Sequence, residues 1–206
     1  DPTRTGYTFI GWTCSQISVP TKRVKIESGT TGNLSFEANW QANTYNVTID
    51  LNGGESDKTS YSFVYDSTYS IVNPTRVGYS FEKFTYNETV LPSAGTWKIA
   101  DDITIKANWI ANSDTPYIIN YYTENLNGDG YTKVYAETSY GYSDNSVTLA
   151  AKNYEGFTPV KSSQTVTIAA NGSTVVDFYY SRNSYTISFV TNGGSSIDSE
   201  TYKYEE

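Results

Sequence analysis

The chain repeats itself, and a short repeated unit limits what it can fold into more than any other feature. Asp1-Pro-Thr-Arg-Thr-Gly-Tyr-Thr-Phe9 returns as Asn73-Pro-Thr-Arg-Val-Gly-Tyr-Ser-Phe81, an offset of 72 residues. Glu37-Ala-Asn-Trp40 returns as Lys106-Ala-Asn-Trp109. Tyr45-Asn-Val-Thr-Ile49, followed by Asn52-Gly53-Gly54, returns as Tyr185-Thr-Ile-Ser-Phe189, followed by Asn192-Gly193-Gly194. A unit of roughly 70 residues buries only a thin core. Such units are used as arrays, and arrays supply reach and multivalency more often than chemistry.

Thin cores lean on aromatic rings, each of which buries about 150–250 Å². Aromatics make up 16% of this chain, with 20 tyrosines among them. The net charge is -8 and the pI near 4.6, which disfavours nucleic acid and anionic lipid as partners and reads as solubility. Cys14 is the single cysteine and there is no histidine. An internal disulfide, a Ser-His-Asp triad and a Cys-His pair are therefore excluded, and Cys14 reads as a small apolar filler in a strand. No apolar run approaches the roughly 20 residues of a membrane span, so no membrane insertion is expected within this segment. No signal peptide is visible. The chain opens in mid-repeat without Met and reads as a piece of something longer.

Alternation of apolar and polar residues dominates. Tyr45, Val47, Ile49 and Leu51 share one strand face, and Asn52-Gly53-Gly54 tolerates the positive φ of a turn before a second strand at Tyr61 to Tyr65. Further strands are expected at 78–84 and 103–109, with a short helix or helical turn between Ser67 and Arg76. Residues 112–183 lack the Pro-Thr-Arg motif and form a distinct module. Its expected strands are Tyr117 to Tyr122, Tyr131 to Tyr135, Thr165 to Ile168 and Thr174 to Tyr180, with a strand end or brief helix at Ser146 to Ala151. The joints after Trp40, Trp109 and Tyr180 are short and hold neighbours close.

The pattern Tyr-x-Val-x-Ile, Asn-Gly-Gly, Pro-Thr-Arg-x-Gly-Tyr-x-Phe and Ala-Asn-Trp resembles the Listeria–Bacteroides repeat, also called the internalin B-type B repeat. Residues 42–111 cover a complete copy, 1–41 the C-terminal part of a preceding one and 184–206 the N-terminal part of a following one. The complete copy has Phe84 where the family usually has Trp (as at Trp12), and Glu82-Lys83 where the first copy has Ile10-Gly11. Residues 112–183 look like a MucBP-type module, on Tyr117 to Tyr122, the Asn127-Gly-Asp-Gly130 turn, Tyr154-Glu-Gly-Phe157 and Val175 to Tyr180. The resemblance implies small β-grasp-like modules, mainly β and α+β at module level, strung as an elongated array on the surface of a Gram-positive bacterium. It implies no catalytic set and no cofactor.

The candidate sites are few. Asn125, Asn127 and Asp129 have the spacing of a calcium loop, but the twelfth position is Ala136, so a plain hairpin turn is expected. Leu91-Pro-Ser-Ala-Gly95 loosely resembles a sorting signal but lacks the apolar span and basic tail, and reads as a loop. The sequons at Asn33, Asn46, Asn87 and Asn171 arise by chance in so Asn-, Ser- and Thr-rich a chain. Trp12, Trp40 and Trp109 read as core or joint packing. Trp97, unmatched in the first copy, is the best single candidate for an exposed aromatic, although local packing is the stronger reading for it. Asp101 and Asp102 lie in polar, turn-like surroundings, which do not suit the paired acids of glycoside hydrolysis.

The expectation is therefore a non-catalytic extracellular segment of a bacterial cell-wall-anchored or secreted surface protein, serving as stalk or spacer and as a weak multivalent adhesin for host glycans or host surface proteins. The alternative is a dedicated carbohydrate-binding module of a larger secreted protein; a third reading is an enzyme fragment whose catalytic part lies elsewhere. The incomplete terminal copies also leave strand edges that could complement one another head to tail between molecules.

Overall fold

In a computed structural model describing residues 1–206, alternation sets the strands as it does in the sequence. The first sheet holds β1 (Tyr7–Cys14), β2 (Ile17–Thr21) and β3 (Glu37–Ala42), in the order β2-β1-β3. Next come β4 (Thr44–Asp50), β5 (Ser60–Val64), β6 (Thr68–Ser70), β7 (Tyr79–Tyr86), β8 (Thr89–Leu91), β9 (Ala94–Thr96) and β10 (Ile103–Ala111). They form a five-stranded sheet, β5-β4-β10-β7-β8, and a small pair, β6-β9. Then β11 (Thr115–Glu124), β12 (Tyr131–Gly141), β13 (Ser146–Ala150), β14 (Phe157–Pro159), β15 (Ser163–Thr167) and β16 (Val175–Arg182) form the sheet β12-β11-β16-β14 and the pair β13-β15. β17 (Ser184–Ile187) and β18 (Glu200–Lys203) make a final antiparallel pair. The chain divides into two compact units, residues 1–76 with 81–110, and residues 77–80 with 111–206.

The two complete sheets share one topology although their sequences read differently. In each, the first and last strands lie parallel at the centre. Val47 faces Ile103 and Ile49 faces Ile105 across β4 and β10; Ile119 faces Val176 and Tyr121 faces Phe178 across β11 and β16. The second strand pairs antiparallel outside the first. Two short strands, β6 with β9 or β13 with β15, pair beside the sheet. One core gathers around Val47, Phe84, Trp97 and Ile105, the other around Tyr121, Ile168, Phe178 and Tyr180, all at 2% exposure or less.

The Ala-Asn-Trp motif has a physical reason. Asn39 Nδ2 donates to Thr13 Oγ1 at 2.8 Å and to the carbonyls of Gly11 and Glu37, spanning a register shift between β1 and β3. In the next copy Asn108 Nδ2 donates to Thr85 Oγ1 at 3.0 Å and to the carbonyls of Lys83 and Lys106. An amide that closes several strand carbonyls and a hydroxyl leaves few partly buried groups unpaired. The Trp that follows packs edge-on against a Phe in both copies, Phe9 with Trp40 at 5.5 Å and Phe81 with Trp109 at 5.7 Å.

The fold is mainly β, with no helix. The helix expected between Ser67 and Arg76 is instead strand β6 followed by extended chain. Tyr69 and Ile71 are both buried, at 8% and 3% exposure, with exposed Ser70 between them, so the period is two. Glu55 and Thr75 then exchange backbone hydrogen bonds at 2.7 and 2.9 Å, which holds the chain extended up to Pro74 and beyond. The α+β description of the module is corrected on the same ground. Ser146 to Ala150 resolves as a strand, with Val147 and Leu149 packed inward. Leu91 to Gly95 is not a simple loop: Leu91 pairs with Phe84, and Gly95 with Tyr69.

Candidate functional site

Trp97 is not an exposed platform. It is 1% exposed, within 5.1 Å of the Phe63 ring and 5.3 Å of the Tyr69 ring, and its indole N–H has no hydrogen-bond partner. Its backbone explains its position: Trp97 N donates to Ser67 O and Trp97 O accepts from Asp66 N, so the β6-β9 pair carries the ring into the core. Trp12, Trp40 and Trp109 are partly buried and pack against Phe9, Phe9 and Phe81. Cys14 is partly buried at the end of β1.

The calcium-like spacing closes on itself. Asn125 Nδ2 donates to Asp129 Oδ1 at 3.0 Å, Asn125 Oδ1 accepts from Thr132 Oγ1 at 2.7 Å, and Asn125 N donates to Gly130 O. These bonds define the hairpin turn between β11 and β12. Asp102 accepts from the backbone and side-chain N–H groups of Asn46, and Asp101 Oδ1 accepts from the Asp102 amide.

The carboxylates whose ionisation is shifted are all held ionised. Lys98 and then Tyr7 hydrogen bond to Asp66 and lower its pKa. Lys203 and the Arg182 amide do the same for Glu124, and Lys152 and Tyr121 for Glu137. Tyr121, desolvated and donating to Glu137 at 2.6 Å, is held protonated. A general acid needs the reverse, a carboxyl kept protonated near neutral pH.

The structure instead brings together a group of residues that no spacing announces. On the solvent face of the β11-β16 pair, three cross-strand pairs stand in register: Ile118 with Val175, Asn120 with Asp177, and Tyr122 with Tyr179. The Tyr122 and Tyr179 rings stack at 4.9 Å and 17°, and the Tyr131 ring meets Tyr179 edge-on at 5.0 Å. Asn120 Nδ2 donates to Asp177 Oδ1 at 2.8 Å, and Lys133 Nζ reaches Asn120 Oδ1 at 3.5 Å. Desolvation, with the Asp177 carboxylate, raises the Tyr179 pKa. An open groove bounded by Val160, Lys161 and Gln164 runs along one side. Val175, Tyr179 and Tyr131 are exposed at 53%, 39% and 43%, whereas Asn120 is buried at 7%, so this face meets solvent mainly through apolar and aromatic side chains. The signal in the sequence was the two Tyr-Tyr doublets, in each of which one ring must point out. Only the parallel register puts Tyr122 beside Tyr179.

Fold and surface thus define a class: tandem small mixed β-modules with hydrogen-bonded turns and a tyrosine-lined face. The Listeria-Bacteroides repeat domain matches residues 1–39 and 45–110, just over half of the chain, and the chain belongs to that family. Two relatives come from Evansella cellulosilytica. One, provisionally named a Gly-rich membrane protein, is 26% identical over 95% of this chain and 23% of its own length. The other, provisionally named a membrane protein, is 28% identical over 83% of this chain and 26% of its own. The chain spans about a quarter of the length of these relatives. A crystal structure of Mub-RV is similar at 12% identity and a TM-score of 0.19, covering 68% of this chain and 97% of that one. No helix is long and apolar enough to cross a membrane.

Proposed function

We propose that this chain is a non-catalytic, extracellular repeat segment of a bacterial surface protein, a spacer that also adheres weakly and multivalently to host glycans or host proteins. Membership of just over half of the chain in a repeat family carries this reading. The bacterial relatives named as membrane proteins, several times longer than this chain, support a surface location. The carboxylates held ionised support a role without general-acid chemistry. Binding of the full chain, coated at high density on beads, to mucin and to epithelial cell layers tests it. Retention that rises steeply with coating density is expected; equal retention of uncoated beads removes the adhesive role. A compact small-angle scattering profile removes the spacer role.

A second reading, a dedicated carbohydrate-binding module, is favoured by the Tyr122–Tyr179 stack beside Asn120 and Asp177. The exposed parts of these rings offer apolar surface to a sugar, and the partly buried Asp177 carboxylate beside them offers an acceptor. A glycan array with the native chain and with Tyr179→Ala decides it: hits lost in the variant support the reading, and no hits with the native chain overturn it.

A further inference from the structure

One set of hydrogen bonds recurs three times, around three glycines far apart in sequence. In the first unit, Asn43 N donates to Gly6 O at 2.9 Å, Tyr65 N donates to Asn43 O at 2.9 Å, and Thr8 Oγ1 donates to Asn43 Oδ1 at 2.6 Å. Tyr7 OH donates to the carboxylate of Asp66, which also receives Lys98. At the end of the chain, Asn183 N donates to Gly156 O at 2.9 Å, Tyr204 N donates to Asn183 O at 2.8 Å, and Thr158 Oγ1 donates to Asn183 Oδ1 at 2.6 Å. There Phe157 has no hydroxyl. Its ring packs on Tyr204 at 5.6 Å, and Arg182 supplies the missing donor to Glu205 at 2.7 Å. Within the second unit the same atoms of Gly78, Ser80, Asn112 and Ser143 bond in the same order, at 2.8 to 3.0 Å, and Tyr79 OH donates to Asp144 at 2.6 Å.

The stereochemistry recurs as well. Gly6, Gly78 and Gly156 have φ of 78°, 75° and 75°, and Asp66, Asp144 and Glu205 have φ of 63°, 57° and 65°. The glycines are needed twice over, for the left-handed backbone and for space. A Cβ on Gly6 would lie 2.3 Å from the Tyr65 ring, and one on Gly156 2.2 Å from the Tyr204 ring. A non-glycine residue in the left-handed region is held there by its surroundings, and an acidic residue, Asp or Glu, in that conformation at each site marks one device.

We propose that these groups form an exchangeable clasp, which within each of the two units locks one β-module to the next in a fixed orientation whichever kind of module stands on either side. Its donor half is Gly-aromatic-hydroxyl at the start of a strand. Its bridge is the Asn between modules. Its acceptor half is the residue pair, ending in a left-handed acid, that follows the successor's second strand. The first clasp joins the β2-β1-β3 sheet to the β4–β10 sheet, and the last joins the β11–β16 sheet to the β17-β18 pair, so unlike neighbours use one joint. The inference is independent of adhesion, since it concerns only how the chain holds its own modules.

The test uses the full chain labelled with ¹⁵N. Residual dipolar couplings are fitted separately for residues 7–42 and 44–110, and amide exchange is read at Asn43, Tyr65, Asn183 and Tyr204. The native chain is expected to give one alignment tensor for both segments. Gly6→Ala is expected to split it, and to speed exchange at Asn43 and Tyr65 by about fivefold or more, the equilibrium factor of a lost hydrogen bond. Val47 and Ile49 exchange should not change, which shows that the sheet itself still folds. Thr8→Val, which removes only the hydroxyl bond to Asn43, should speed exchange at Asn43 alone. Grafting the middle set onto the last site, as Phe157→Tyr with Tyr204→Ser and Glu205→Asp, should leave Asn183 protected. Two different tensors in the native chain, or unchanged protection of Asn43 and Tyr65 in Gly6→Ala, overturn the clasp. Loss of Asn183 protection in the graft overturns its exchangeability.

Discussion

The indole N–H of Trp109, near the end of β10, donates to the carbonyl oxygen of Leu51 at 3.1 Å, while its ring occupies the space above Gly54. The Ala-Asn-Trp motif at the end of the unit is thereby tied to the Asn-Gly-Gly turn near its start, 58 residues apart. The other indole of this module, Trp97, is more deeply buried and makes no such bond. Trp109→Phe should cost about 1 kcal/mol, the worth of a hydrogen bond. Trp97→Ala should cost about 3–5 kcal/mol, through the cavity it leaves. Urea denaturation with an unchanged m-value checks both.

Glycine at position 54 is required by that same ring. A Cβ there would lie 2.3 Å from Trp109 Cζ2 and 2.9 Å from the Thr75 carbonyl oxygen. Gly54→Ala should therefore destabilise its module by about 1–3 kcal/mol. The corresponding Gly194 has no tryptophan above it, its nearest neighbour being Thr191 O at 3.2 Å. Gly194→Ala should be close to neutral by the same thermal or chemical denaturation.

Phe84 occupies the position at which the first copy has Trp12. Trp12 is partly exposed, whereas Phe84 is fully enclosed, with the Phe81 ring at 4.8 Å. Restoring the tryptophan should overpack this core, and Phe84→Trp should destabilise by about 1–3 kcal/mol rather than stabilise. A rise in melting temperature would refute the packing account.

Acid should loosen the fold in a defined window. Asp66, Glu124 and Glu137 have folded pKa values below their ordinary 3.8, 4.5 and 4.5, chiefly through hydrogen bonds from Lys98, Lys203 and Lys152. Depressed folded values mean that the unfolded chain binds protons first as pH falls. Their stabilisation is complete above about pH 5 and is lost as pH drops through the folded values. Glu137→Gln should flatten this slope in denaturation series between pH 7 and pH 2.5. At the alkaline end the sign reverses: Tyr121 is held protonated beyond the ordinary 10.0, so stability is lost as pH rises through its folded pKa.

The strands with a buried, alternating face were legible. Tyr45 to Leu51 and Ile103 to Trp109 announce a period of two, and Asn52-Gly53-Gly54 announces a turn whose Asn52 and Gly53 have φ of 48° and 84°. The short strands were not. β6, β9 and β14 have three residues each, too few for a period to show against turn residues. The stretch from Ser67 to Arg76 was ambiguous for that reason, and its partner, 20 residues or more further on, resolved it as strand.

Trp97 shows the limit most clearly. The sequence favoured packing for Trp97 but left exposure open, because a single indole between Thr96 and Lys98 does not say what it packs against. The β6-β9 pairing turns it inward, because burying so large an apolar surface outweighs one unpaired indole N–H.

What the sequence determined alone is the modular plan: repeats too small to share one core, no histidine, one cysteine, and turn residues where the chain reverses. These follow from composition and from the alternation of a strand's two faces, which are local properties. The tertiary structure decided which rings lie inside, which tyrosines stand together on the β11-β16 face, and that three separate glycines, asparagines and acids build one joint. Those outcomes depend on parallel register and on contacts between residues about 20 to 65 positions apart. No local rule carries that information, since the free energy of each such contact exists only once the modules are folded.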